Sequence, residues 1–352
     1  MKLSILFLLV LIFQVQGILA QDPLKHPKKI YVSPQGRIFV QKSLPLYLRL
    51  ATSPNENGPS TLLKSEITTK YSNPMYLDTE GYNTFRSPSQ VDTVTKIAKY
   101  PAEDIVFEVY ADSRPPKTSV KFGNAKTYLK KEKTFIKGNV NLTFHTLDEM
   151  SGVEATYYSV NGENFKIVTG EIGFSEEKEY LIKFYSVDNV GNVEEIKSLI
   201  LVIDKTSPKT SMLIKGDNYE KIFSARTSVG LVSEDFSSGL ARIVYDLDEQ
   251  GVRPYKSPLY ASFLSQGDHK LVYYAEDNAG NIEEQHVFDF YVDKTPPTLV
   301  QEVVGKTFFA NGKEFSSGRA QLKITTFDNK AGVKEVYYSI NKQEYMLYDK
   351  PV

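Results

Sequence analysis

The chain repeats itself, and the length of the repeat limits what it can fold into. The segment Asp188-Asn189-Val190-Gly191-Asn192-Val193-Glu194-Glu195 returns 89 residues later as Asp277-Asn278-Ala279-Gly280-Asn281-Ile282-Glu283-Glu284. A second marker, Asp204-Lys205-Thr206-Ser207-Pro208, returns at the same step as Asp293-Lys294-Thr295-Pro296-Pro297, and Asp112-Ser113-Arg114-Pro115-Pro116 stands 92 residues before it. A third joins Ser151-Gly152 and Tyr157-Tyr158-Ser159 to Ser238-Gly239 and Val244-Tyr245-Asp246, then to Ala331-Gly332 and Tyr337-Tyr338-Ser339. A period of about 90 residues is too long for one turn of a solenoid and suits a free-standing domain.

Within one period the pattern is that of short strands. His269 to Ala275 runs into the Asp277 turn and Phe288 to Val292 leaves it. Alternation puts Leu271, Tyr273 and Ala275 on one face, matched in the preceding period by Ile182, Phe184 and Ser186. Val229 to Ser233 and Arg242 to Leu247 read as two more strands about the Asp235 to Gly239 loop. Tyr (23) and Phe (20) without any Trp suit pleated, half-buried surfaces. The expectation is an all-β chain of tandem β-sandwiches: a divergent unit at 24–112 that lacks the Asp-Asn-x-Gly-Asn turn, repeats at 113–203 and 204–292, and a partial repeat at 293–352. Aligning Tyr338 with Tyr245 sets Val352 opposite Leu259, so counterparts of Tyr260 to Val292, at least ~35 residues, are expected beyond Val352.

The first residues bear on compartment. Lys2 precedes an apolar run, Leu3 to Phe13, too short to span a bilayer, and Gly17-Ile18-Leu19-Ala20 leads into polar Gln21-Asp22. Residues 1–20 read as a signal peptide cut after Ala20. With no cysteine anywhere there is neither a lipid-modified N-terminal Cys, nor a disulfide framework, nor a thiolate metal site. The 42 basic and 43 acidic residues mix along the chain, which removes the electrostatic footprint of a nucleic-acid binder.

Together, Ser-Gly then Tyr-Tyr-Ser, the Asp-Asn-x-Gly-Asn-x-Glu turn and Asp-Lys-Thr-x-Pro over 113–352 resemble bacterial immunoglobulin-like surface repeats, such as those of leptospiral extracellular-matrix-binding outer-membrane proteins. The resemblance implies immunoglobulin-like sandwiches and adhesion or surface display, with location at the cell surface or outside the cell, outer-membrane association and the periplasm included. The partner expected is an extracellular protein or polysaccharide. The alternative is an accessory region of a larger exported carbohydrate-active enzyme whose catalytic domain lies outside this chain.

Catalytic signals are thin. The four histidines, His26, His145, His269 and His286, do not recur with the repeat or stand at metal-ligand spacing, and there is no nucleophile elbow, His-Glu-x-x-His or phosphate loop. Glu194-Glu195 and Glu283-Glu284 read as strand neighbours pointing to opposite faces. Asn141-Leu142-Thr143 matches a glycosylation triplet of high chance frequency. Asp188 and Asp277 are first of all turn residues, with Gly191, Gly280, Asn192 and Asn281 suited to positive φ. A second role is calcium. On the immunoglobulin plan the two loops of a repeat and the incoming linker share one pole, so Asp204, Asp235 and Asp277, helped by Asn278 or backbone carbonyls, and one repeat earlier Asp112, Asp148 and Asp188, form candidate clips.

Overall fold

The computed structural model describes residues 24–47, 49–51, 55, 57–62, 74–87, 90–91, 94–95, 98–99 and 105–352; residues 1–20, expected from the sequence to be a signal peptide, lie outside them. Among these the chain is all-β, its one helical element a 3-10 turn at Ala261–Phe263, and no helix is long and apolar enough to cross a membrane. It divides into two compact units, 1–204 and 205–352.

In the first unit the 113–203 repeat is a sandwich of two sheets. One has six strands in the order Thr127–Lys130, Lys133–Lys137, Lys197–Asp204, Glu179–Asp188, Val153–Val160, Lys166–Ile167; the other has Ile172–Phe174, Val140–Leu147 and Lys117–Lys121. Alternation along Val140–Leu147 and Glu179–Asp188 turns Leu142, Ile182 and Phe184 inward against Ile136, Leu201 and Ile203. Burying each such side chain contributes roughly 1.5–3 kcal/mol. At the level of Ser186 the core becomes polar: the hydroxyls of Thr118, Thr146, Thr156 and Ser186 bond one another, Thr146 to Thr156 at 2.7 Å and Thr156 to Ser186 at 2.9 Å.

The divergent N-terminal unit carries a four-stranded sheet in the order Ile30–Val32, Ile38–Gln41, Ile105–Asp112, Gly81–Ser87, packed on Val40, Leu77, Val109 and Ala111. It shares one device with the repeats. The second strand of a short hairpin lies parallel to the last strand, setting Gln41 opposite Asp112, as Lys137 stands opposite Asp204 and Ser224 opposite Asp293.

In the second unit, the 204–292 repeat has the same six-stranded order, Asn218–Tyr219, Ile222–Ser224, His286–Asp293, Gly267–Asp277, Leu240–Leu247, Arg253–Pro254, facing Lys209–Lys215, Ser228–Glu234 and Leu259–Tyr260. Leu271, Tyr273 and Ala275 lie inward with Phe223, Phe290 and Val292. Both repeats break register at one place, between Val153 and Ala155 and between Leu240 and Arg242, immediately after the aspartate loop. Such a bulge re-aims the strand beside the pole where the loops meet. In 293–352 the strands pair two by two, Thr298–Val304 with Gln321–Phe327, Thr307–Ala310 with Lys313–Ser316, and Tyr337–Tyr338 with Met346–Leu347, leaving Val300, Phe308, Phe309 and Ile340 exposed.

Candidate metal centre

Three loops and strand ends meet at one pole of the 113–203 repeat. Asp112 ends the last strand of the N-terminal sheet; its carboxylate accepts the Arg114 N–H and the Ser151 N–H, both at 3.1 Å. Asp148 follows Val140–Leu147 and closes its loop by accepting the N–H groups of Met150 (3.1 Å) and Gly152 (2.7 Å), the latter glycine at φ +81°. Asp188 ends Glu179–Asp188 and accepts the Val190 and Asn192 N–H groups at 3.0 and 2.8 Å, while Asn192 Nδ2 donates to its other oxygen at 2.6 Å. Asp188 thus does the turn chemistry its sequence context predicts, Asp112 and Asp148 make local bonds of the same kind, and these bonds draw the carboxylates to the pole.

One carboxylate oxygen from each of the three lies within 4.8 Å of the others. Asp112 and Asp188 are fully buried and Asp148 half-buried. Burial raises the Asp188 carboxyl to about 6, with the Asp112 charge adding to it against the pull of the Asn192 bonds. Burial likewise raises Asp112, opposed chiefly by Ser151, with the Asp148 charge pushing it further up. Arg114, two residues from Asp112, pairs with Glu149, and Lys29 pairs with Glu154. An all-oxygen set of this kind suits a hard cation, calcium or magnesium, and not zinc.

In the second unit Asp235 and Asp277 repeat the loop half of this arrangement. Asp235 accepts the Ser237 and Gly239 N–H groups (3.2 and 2.6 Å), Asp277 those of Gly280 and Asn281 (2.6 and 2.7 Å), and the two carboxylates approach within 4.8 Å. Asn278 uses its amide nitrogen on the carbonyl groups of Ser238 and Gly239, which tethers one loop to the other. Asp204, the sequence counterpart of Asp112, is buried at the end of Lys197–Asp204.

Two expectations change. Gly191 and Gly280 adopt positive φ (+90° and +98°), but Asn192 and Asn281 do not; their value lies in the amide, which donates to Asp188 and Asp277. The glutamates after the turn lie outside the regular strands, held by single bridges at Val193 and Ile282. Glu194 points into the sandwich and accepts the Thr118 N–H at 2.8 Å and Lys197 Nζ at 2.6 Å. Glu283 accepts the N–H groups of Thr210 (2.9 Å) and Ala275 (2.7 Å) and the Thr210 hydroxyl. Each therefore staples the first strand of its repeat to the opposite sheet. The recurrence of Pro116-Lys117-Thr118 as Pro208-Lys209-Thr210 is the signal that marks the partner threonines.

The histidines are spread over the fold. His269 is buried with Nδ1 2.7 Å from Asp248 and Nε2 2.9 Å from the Ser265 carbonyl. His26 packs among Tyr157 and Tyr185, and His286 stacks on Tyr273. His145 lies on Val140–Leu147, and Asn141, in the same strand, donates to Glu171.

No known protein family and no curated protein matches the chain. Among solved structures it is similar to fibronectin(III)-like modules of Clostridium thermocellum CbhA, at 11% identity over 50% of this chain and 95% of that one, TM-score 0.31. It is also similar to a 1.5-MDa bacterial ice-binding adhesin, at 11% identity over 60% of this chain and 90% of that one, TM-score 0.27. Superposition this loose carries no functional argument.

Proposed function

We propose that the chain is a non-enzymatic, exported interaction array whose sandwiches present their flanks to an extracellular protein or polysaccharide. The observation that carries this reading is how the first repeat receives the unit before it. The Lys29 N–H bonds the Val190 carbonyl at 3.0 Å, Gln41 Nε2 bonds Asn192 Oδ1 at 2.9 Å, and Asn192 Nδ2 also bonds the Asp112 carbonyl at 3.2 Å. The Leu24 N–H reaches the Tyr185 hydroxyl at 3.0 Å, and Lys29 pairs with Glu154. The polar turn of the repeat is thereby spent on seating the N-terminal sheet against it, a use that favours a stiff spacer over a pole-loop binding site.

What remains for recognition is the flank. The hairpin between Thr127–Lys130 and Lys133–Lys137 turns at Lys131 and Glu132, both at positive φ and both exposed. Loops held by a rigid scaffold are where binding residues concentrate. The test is binding of the full mature chain to immobilised matrix proteins and to insoluble polysaccharides. Saturable binding to either, weakened by a Lys130→Glu/Lys131→Glu double substitution with unchanged thermal unfolding, supports the reading. Retention on polysaccharide alone favours the accessory role beside a carbohydrate-active enzyme, and no binding to either class removes the display reading.

A further inference from the structure

We propose that Asp112, Asp148 and Asp188 hold a calcium ion at the seam between the N-terminal sheet and the first repeat. This goes beyond the display reading and is independent of it: a seam cation serves an array whatever its flanks bind.

The three carboxylates come from three different places in the fold, namely the end of the strand Ile105–Asp112, the loop after Val140–Leu147 and the end of the strand Glu179–Asp188. Each offers an oxygen within 4.8 Å of the others, two of the residues being fully buried. Removing one carboxylate from water is expensive, and gathering three costs more through mutual repulsion, unless a cation compensates.

A fourth oxygen points the same way. Ser151 is 4% exposed, and its Oγ makes no hydrogen bond of regular geometry. Its own N–H is bonded to Asp112, and the hydroxyl lies against the Asp112 carboxylate, on the side that favours the charge. A buried hydroxyl normally finds a partner, and one left without a regular bond at the rim of three carboxylates suits a ligand oxygen. In the next repeat the matching Ser238 hydroxyl does accept a bond, from the Ala279 N–H. Three carboxylates and a hydroxyl, filled out by water, meet the six to eight oxygens calcium takes at flexible geometry, whereas magnesium demands a tighter octahedron and gives up its water reluctantly.

The test is calorimetric titration of calcium chloride into the full mature chain stripped with chelator, with thermal unfolding in parallel. Expected is saturable binding with a Kd of about 10⁻⁴–10⁻³ M, as for extracellular calcium modules, at least tenfold weaker for magnesium chloride, with a midpoint that rises as the site fills. Asp148→Asn should lose one equivalent relative to the wild type, and Ser151→Ala should weaken that equivalent several-fold. Glu149→Gln, an exposed acid in the same loop, should change neither. Should Asp148→Asn fail to keep the wild-type far-UV spectrum in chelator, Ser151→Ala decides. Equal stoichiometry and affinity in the wild type and the folded site variants, or a non-saturating response shared with magnesium, would mean diffuse binding to surface carboxylates and overturns the proposal.

Discussion

Gln41 and Asn192 stand 151 positions apart in sequence and meet in the folded chain, Gln41 Nε2 donating to Asn192 Oδ1 at 2.9 Å in a buried seam. Every polar atom of both side chains is engaged. Gln41 Oε1 accepts the N–H and hydroxyl of Ser43, and Asn192 Nδ2 serves Asp188 and the Asp112 carbonyl. Asn192→Ala therefore strands several groups at once, whereas Gln41→Ala strands one buried acceptor, Asn192 Oδ1, its other partners being groups of exposed Ser43 that water can serve. Leaving a buried polar group unpaired costs about 1–3 kcal/mol. Asn192→Ala should cost the larger share of that range and Gln41→Ala the smaller, with a favourable coupling energy in the double-mutant cycle. Urea denaturation, with hydrogen exchange at the Val190 and Asn192 amides, measures it; additive effects of the two substitutions would show that the seam does not couple them.

The buried glutamates make a second expectation. Glu283→Ala removes the acceptor for two backbone N–H groups, Thr210 and Ala275, that link the first strand of the repeat to the opposite sheet. The loss expected is about 2 kcal/mol, from the same cost of orphaned donors. Glu284→Ala, at the exposed neighbour, should stay within about 0.5 kcal/mol. Exchange at the Ala275 amide separates the two, because only the first variant frees that proton.

Much of this architecture is legible in the sequence, and what is not has a physical reason. Asp188 and Asp277 show their capping role because Asx-type turn bonds are local, reaching two to four residues on. The inward set of Leu271, Tyr273 and Ala275 follows from the two-residue alternation of a strand. The meeting of Asp112 with Asp148 and Asp188 follows from strand order once a sandwich is assumed. Glu194 and Glu283 escape the same treatment, since their partners Thr118 and Thr210 lie 76 and 73 residues away and no periodicity in the vicinity of the glutamates marks a side chain as buried. The kinship of the divergent unit is legible only at its end, in the Asp112-Ser113-Arg114-Pro115-Pro116 marker. The parallel register of Gln41 with Asp112 is a backbone relation that leaves no residue motif.

The raised carboxyls give stability a pH dependence of defined sign. Burial lifts Asp188 from 3.8 to about 6 and lifts Asp112 above its usual value. A folded-state value above the unfolded one means that the folded chain binds the proton more tightly, so the stabilisation is complete below the unfolded value near 3.8 and is lost as pH rises through about 6. In chelator, the first unit should therefore unfold at a higher temperature at pH 5.5 than at pH 7.5, and Asp188→Asn should flatten the difference. Thermal scans across that window measure it; a midpoint that climbs steadily from pH 5.5 to 7.5 in chelator would contradict the assigned environment of Asp188.

The last expectation sets the two repeated turns against each other. Gly191 and Gly280 occupy the same place in Asp-Asn-x-Gly-Asn and share nearly the same backbone, φ +90° and +98°. A Cβ in that left-handed region costs roughly 1–2 kcal/mol at either position. Their surroundings differ. A Cβ on Gly280 meets nothing within 4 Å, but one on Gly191 comes within 2.3 Å of the Pro27 carbonyl oxygen and 3.2 Å of Lys28 Cα. Those atoms belong to the N-terminal segment that Lys29 ties to Val190, and backbone cannot swing aside as a side-chain end can. Gly280→Ala should therefore show only the conformational cost. Gly191→Ala should show that cost and also expel the segment, losing the Lys29–Val190 bond and the protection of Tyr185, whose hydroxyl accepts the Leu24 N–H. Limited proteolysis N-terminal to Ile30, compared between the two variants, reads this directly: rapid cleavage in Gly191→Ala alone is the expected result, and equal resistance in both would mean that the segment does not pack on the turn in solution.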